Sequence, residues 1–163
     1  MANEVQVVPV TQLNKLSDET RALTGCTHEF VFDYTHPDLD STGVGTDTIT
    51  IVAAGDAGNC FLTKGILVVD EAFVGTSLDT ITLELGRGGS GTPDTDAVFS
   101  GKSLAVADLV AGANGAIEVN ATQSVIATVR NTGTGSGGAA SLTQGKARVL
   151  FGLICADDLS GKA

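Results

Sequence analysis

From residue 28 onward the hydrophobic positions of this chain recur with a period of two. "HEFVFDY" (28–34) places Phe30, Phe32 and Tyr34 on one face, and "DTITIVA" (47–53) sets Ile49 and Ile51 opposite Thr48 and Thr50. Successive side chains of a strand leave opposite sides of the backbone, so such alternation marks one buried and one solvated face. "VVDEAFVGTSLDTITLELG" (68–86) reads as two strands joined by a short acidic turn, with Thr80, Thr82 and Glu84 alternating with Ile81, Leu83 and Leu85. "FLTKGILVVDEAF" (61–73) extends the first of them into a longer apolar run. After the loop "GRGGSGTPDTD" (86–96), a short strand begins at Val98 and Phe99, followed by "AIEVNAT", "SVIATVRNT" and "KARVLFGLICA". About eight strands with turn residues between them, and no helix in the body, predict an all-β fold: an antiparallel, jelly-roll-like sandwich.

The last strand is apolar on both sides, at Val149, Leu150, Phe151, Leu153 and Ile154. It therefore needs cover on both sheet faces, from a helix, an N-terminal arm or a second subunit. Residues 1–26 break the pattern. "VTQLNKLSDETRALTG" (10–25) carries Val10, Leu13, Leu16 and Leu23 at near-helical spacing and ends in Gly25, which fits a short helix or an extended arm. The expected organisation is an arm over 1–26 and one sandwich domain over 27–163. "NTGTGSGGAASLTQG" (131–145) is expected to be a mobile hairpin connection.

Composition narrows the core rather than the function. Hydrophobic residues make up 42% of the chain but aromatics only 4%, so branched aliphatics must fill the sandwich. The formal charge of −10, with nine scattered Lys and Arg, excludes a phosphate-tracking nucleic-acid surface. "MANEVQVVPV" lacks the basic start and apolar run of a signal peptide, and no apolar stretch reaches membrane-spanning length. Cys26, Cys60 and Cys155 are odd in number and far apart, without zinc-ligand spacing, and are expected to be buried free thiols of a reducing cytoplasm.

Candidate chemistry is sparse. "HPDLD" offers His36, Asp38 and Asp40 as oxygen and imidazole ligands for a divalent cation, but lacks the Gly and bidentate Glu of a calcium loop. Gly86, Gly88, Gly89 and Gly91 suggest a phosphate loop, yet no Lys-Ser/Thr pair follows and Asp94 and Asp96 would repel phosphate. Cys26 and His28, at i and i+2 of an extended strand, are the only close thiol–imidazole pair, with no third group to orient them. Asp94 and Asp96 could serve a glycosidase, but no aromatic platform accompanies them, which also counts against a lectin. No catalytic, cofactor-binding or metal-binding residue is assigned, and the chain is read as a non-enzyme.

The order of the segments "FVFDYTHPDLD", "DTITIVAAGDAGNCFLTKGILVVDEAFVGTSLDTITLELG", "TDAVFSG", "VNATQSVIATVRNTG" and "LTQGKARVLFGLI" resembles the jelly-roll structural proteins of tailed-phage virions. The resemblance covers residues 30 to about 155 and rests on that order rather than on any single motif. It implies a capsid decoration (cement) protein: a homo-oligomer, expected to be a trimer, on the bacteriophage capsid surface, made in the host cytoplasm and bridging major capsid protein subunits. It brings no catalytic residues. A receptor- or carbohydrate-binding module of a head fibre or tail is the alternative it leaves open.

Overall fold

The computed structural model describes residues 14–56, 59–90 and 93–155, with backbone only for 109–116. The Val10 and Leu13 positions of the expected arm, and the chain after Cys155, lie outside the described residues. Nine strands are described: β1 (Asn14–Lys15), β2 (His28–Asp33), β3 (Gly45–Val52), β4 (Cys60–Gly75), β5 (Thr80–Gly89), β6 (Asp94–Ser103), β7 (Leu109–Val119), β8 (Gln123–Thr132) and β9 (Leu142–Cys155). They form two antiparallel sheets, β1-β2-β9-β4-β7 and β3-β8-β5-β6. Each of β2 to β5 pairs with its mirror in chain order: β2 with β9, β3 with β8, β4 with β7 and β5 with β6. The body is thus one long hairpin, β2–β5 against β6–β9, rolled so that the paired arms fall alternately into the two sheets. This is the jelly-roll topology that the strand pattern predicts.

The alternation explains the core. On β9 the inward residues Ala147, Val149, Phe151 and Leu153 are all buried, and they face Ile81, Leu83 and Leu85 of β5 and Val125, Ala127 and Val129 of β8 across the sandwich. Phe30 and Phe32 stack at 6.0 Å and Phe32 meets Phe73 at 5.6 Å, placing three of the six phenylalanines at one end of that core. Each such buried side chain contributes about 1.5–3 kcal/mol of transfer free energy. Gly65 shows how closely the sheets approach: a Cβ there would stand 2.7–2.9 Å from Leu85, Val98 and Phe99 of the opposite sheet.

The N-terminal residues attach to the larger sheet. Helix α1 (Asp18–Thr24) is a single short element, capped by Ser17, whose hydroxyl accepts from the Thr20 amide, and closed by Gly25 at φ 71°. Leu23, part of the apolar spacing that suggests this helix, is 87% exposed. The helix is therefore held by its caps and by the pairing of Asn14 and Lys15 with Glu29 and His28, not by a buried face.

Two expectations need correction. The cysteines are not all free: Cys60 and Cys155 form a disulfide, because they are directly opposed positions of the β4–β9 pair. Their separation of 95 residues hides that register in the sequence. Cys26 alone is a free thiol. Nor is the connection at 131–145 a loose one. Asp79 accepts from the amides of Thr134 (2.5 Å) and Gly135 (2.7 Å), Asn131 donates to the Gly137 carbonyl, and the Ala140 amide donates to the Ser41 carbonyl at 3.0 Å. Glycine permits the approach, since a Cβ on Gly137 or Gly138 would collide with the Thr76 or Ser41 carbonyl.

Titration of these anchors has one direction. The hydrogen bonds from Gly135 and Thr134 hold Asp79 below the ordinary 3.8, and the Arg148 guanidinium does the same for Asp70. Burial pushes His36 below its ordinary 6.5. A carboxylate or imidazole whose folded pKa is depressed adds stability above its unfolded pKa and loses it as pH falls through the folded value. The urea midpoint should therefore be level from pH 8 to 7, decline below 6.5 as His36 is forced to protonate, and fall further below 3.8. His36→Asn, which keeps an acceptor for the Asp38 amide, should remove the first decline only; a midpoint that rises on acidification would contradict this.

Candidate interaction surfaces

The residues that suggested catalysis are each engaged elsewhere. The Cys26 thiol is fully buried, donates to the Thr24 carbonyl at 3.9 Å, and is pushed up by desolvation, the opposite of an activated nucleophile. His28 is fixed by the Thr27 hydroxyl at 2.7 Å and stacks on Phe151. His36 accepts from the Asp38 amide (3.2 Å) and packs edge-on against Phe30, with its Nε2 buried and unpartnered among the described residues. It serves as a turn element of the core, and no group of three potential metal ligands occurs among the described residues. Gly86, Gly88 and Gly89 belong to β5, and Gly91 lies outside the described residues. A Cβ on Gly86 would collide with the Asp94 carbonyl and Thr95 backbone, so the residue is small to let β6 fold over the sheet, not to cradle phosphate.

What remains is surface. The outer face of the five-stranded sheet carries several part-exposed apolar side chains. Since Val149, Phe151 and Leu153 point inward, Arg148, Leu150, Gly152 and Ile154 point outward, and register aligns them with neighbours on the same face. Phe61 lies opposite Ile154, Ile66 and Glu29 flank Leu150, and Val68 and Val31 flank Arg148. Phe61 is 43% exposed, and Val31 and Ile154 are each 38% exposed. At the centre Arg148 makes a bidentate pair with Asp70 (both contacts 2.8 Å) and reaches Glu29 at 3.4 Å. The face thus combines an apolar band with an arginine-centred ion cluster, the composition that protein interfaces favour. Gly25 lies over it near Gly152, where a Cβ would stand 3.3 Å from the Gly25 carbonyl.

The opposite outer face, on the four-stranded sheet, is polar and ordered in rows. Thr48, Thr128 and Glu84 align across β3, β8 and β5, as do Thr46, Arg130 and Thr82. Glu84 is buried beneath β6 and accepts from Arg130 Nε at 2.7 Å and from the Thr95 hydroxyl at 3.0 Å. β3 forms the edge of this sheet and presents Thr46, Thr48 and Thr50 to solvent. A register irregularity between Thr50 and Val52 and the inward carboxylate of Asp47 guard that edge against uncontrolled pairing. Asp47 is itself satisfied by the Ser41 amide (2.9 Å) and hydroxyl (2.6 Å).

Comparisons with protein-family models, with curated proteins and with solved structures find no match to this chain. The fold defines an all-β jelly roll, and no helix among the described residues is long and apolar enough to cross a membrane. The sequence pattern marks threonine-lined strand faces and the two-sided last strand. It misses the pairing of Phe61 with Ile154, which depends on the same long-range register as the disulfide one residue away on each strand.

Proposed function

We propose that this protein is a virion structural protein of the decoration (cement) type, a homotrimer that binds the outer surface of a phage capsid and bridges neighbouring major capsid protein subunits. Fold alone carries no function, because jelly rolls host many. The observation that carries the reading is the outer face of the five-stranded sheet, where Phe61, Ile154 and Val31 stand exposed beside the part-exposed Arg148–Asp70–Glu29 cluster. Exposed apolar groups mark interaction surfaces, and here they stand at the two ends of the outward row of β9, Phe61 and Ile154 at one end and Val31 at the other, with the buried Leu150 between them. The exposed threonines of β3, Thr46, Thr48 and Thr50, leave a second, polar surface for a different contact. A shell presents many identical sites, so modest contacts multiply into firm retention. Residence on the particle exterior after release from the host gives the Cys60–Cys155 bridge an oxidising environment, which the reducing host cytoplasm does not.

The native mass in solution tests the oligomer. Light scattering after size exclusion should return about three times the 16.4 kDa chain, the closed cyclic assembly expected of a trimer. Phe61→Asp combined with Ile154→Asp should keep the β circular dichroism spectrum and lose retention on the shell or the oligomer. A doubly substituted protein that assembles and binds as before would remove this face from the account.

A further inference from the structure

We propose that the corner between α1, β2 and the end of β9 is a binding site for a carboxylate-bearing peptide segment of a partner chain. A cavity of about 260 Å³ opens there, lined by Lys15, Arg21, Thr27, His28, Leu153 and Ile154. Its charge is opposite to that of the molecule, whose formal net charge is −10. Most of the other cations are occupied. Arg130 binds Glu84 and Arg148 binds Asp70 and Glu29, while Arg87 donates to the Glu118 carbonyl at 2.8 Å and Lys146 lies in register with Asp33 and Glu71. At this corner Lys15 has no ion pair among the described residues. Arg21 has only a 3.4 Å contact to Asp18, between side chains 50% and 99% exposed, which water largely screens.

The walls are built to hold shape. The Thr27 hydroxyl accepts from the Leu153 amide at 2.9 Å and bonds the His28 ring at 2.7 Å, which ties the start of β2 to the end of β9. The part-exposed Ile154 supplies an apolar side to the cavity, and the buried Leu153 closes its edge toward the core. A carboxylate set between Lys15 and Arg21 would gain charge-assisted hydrogen bonds, and an adjoining aliphatic side chain would cover that apolar side. An acidic segment is repelled by most of this surface and attracted at this corner, so charge also sets where it docks. The inference does not depend on the protein belonging to a virion.

The probe is a fluorescein-labelled peptide of alternating Asp and Leu, followed by anisotropy with the full chain, against an Asn–Leu peptide as control. Saturable binding of the acidic peptide alone is expected, weakened roughly tenfold or more by Lys15→Glu with Arg21→Glu, and nearly unchanged by Lys102→Glu, which alters charge elsewhere. Lys15→Gln, on an exposed two-residue strand, should weaken binding by a smaller factor and serves if the double variant fails to fold. Equal loss in Lys102→Glu, absence of saturation, or indifference to both Lys15 variants would overturn the proposal. Salt-dependent self-association abolished by the same variants would also overturn it, placing the acidic segment on a second copy.

Discussion

Replacing Cys60 by Ser is expected to lower the unfolding free energy by roughly 2–5 kcal/mol, the range for a native bridge that closes a long loop. The bridge spans 95 residues and fastens the start of β4 to the end of β9, in the middle of the larger sheet. Without it the unfolded chain regains the freedom of almost the whole jelly-roll hairpin, while the folded sheet keeps its backbone pairing. The variant should therefore fold in the cold and melt earlier, and wild-type protein in excess reductant should melt with it. Cys26→Ser should respond to reductant as the wild type does, since Cys26 is unpaired and buried. Equal urea midpoints for wild type and Cys60→Ser under oxidising conditions would show that the bridge contributes nothing.

Phe151→Ala is expected to cost about 3–5 kcal/mol, the range for truncating a large buried aromatic. Phe151 has no exposed surface, sits on β9 between its partners His28 on β2 and Gly65 on β4, and stacks on the His28 ring at 5.7 Å. The neighbouring strands are fixed by register on both sides, so the cavity has little means of collapse. In the Cys60→Ser background the two losses should bring the chain close to unfolding at room temperature, given total stabilities of about 5–15 kcal/mol for domains of this kind. Thermal melts followed by circular dichroism check both steps; a loss below ~1 kcal/mol for Phe151→Ala would mean that the core repacks freely around it.

How far the sequence revealed the molecule depends on which interactions are local. Strand existence was legible because Ile49 and Ile51, or Ile81, Leu83 and Leu85, alternate with threonines, and alternation is a property of neighbouring residues. Helix α1 was legible at its end, Gly25, but not in its packing: Leu23 points to solvent. The pairing of strands separated by a hundred residues was not legible. It is set by the rolling of one long hairpin, and both the Cys60–Cys155 bridge and the Phe61–Ile154 contact depend on it. The loop at 131–145 misled for a related reason. Its glycines signal mobility in isolation, yet they are small because Thr76 and Ser41 carbonyls press against them, and Asp79, more than fifty residues away, collects its amides. The candidate surfaces were legible only in kind, as threonine-lined and aliphatic strands, because a strand pattern gives faces but not their neighbours.

The claim that this chain is a capsid-binding structural protein is tested most directly by co-sedimentation with shells of the major capsid protein that lack it. The account predicts that the protein enters the pellet with the shells, saturates at a fixed ratio to capsid subunits, and raises the temperature at which the shells rupture. Protein that stays in the supernatant at all concentrations, with shell stability unchanged, would contradict it.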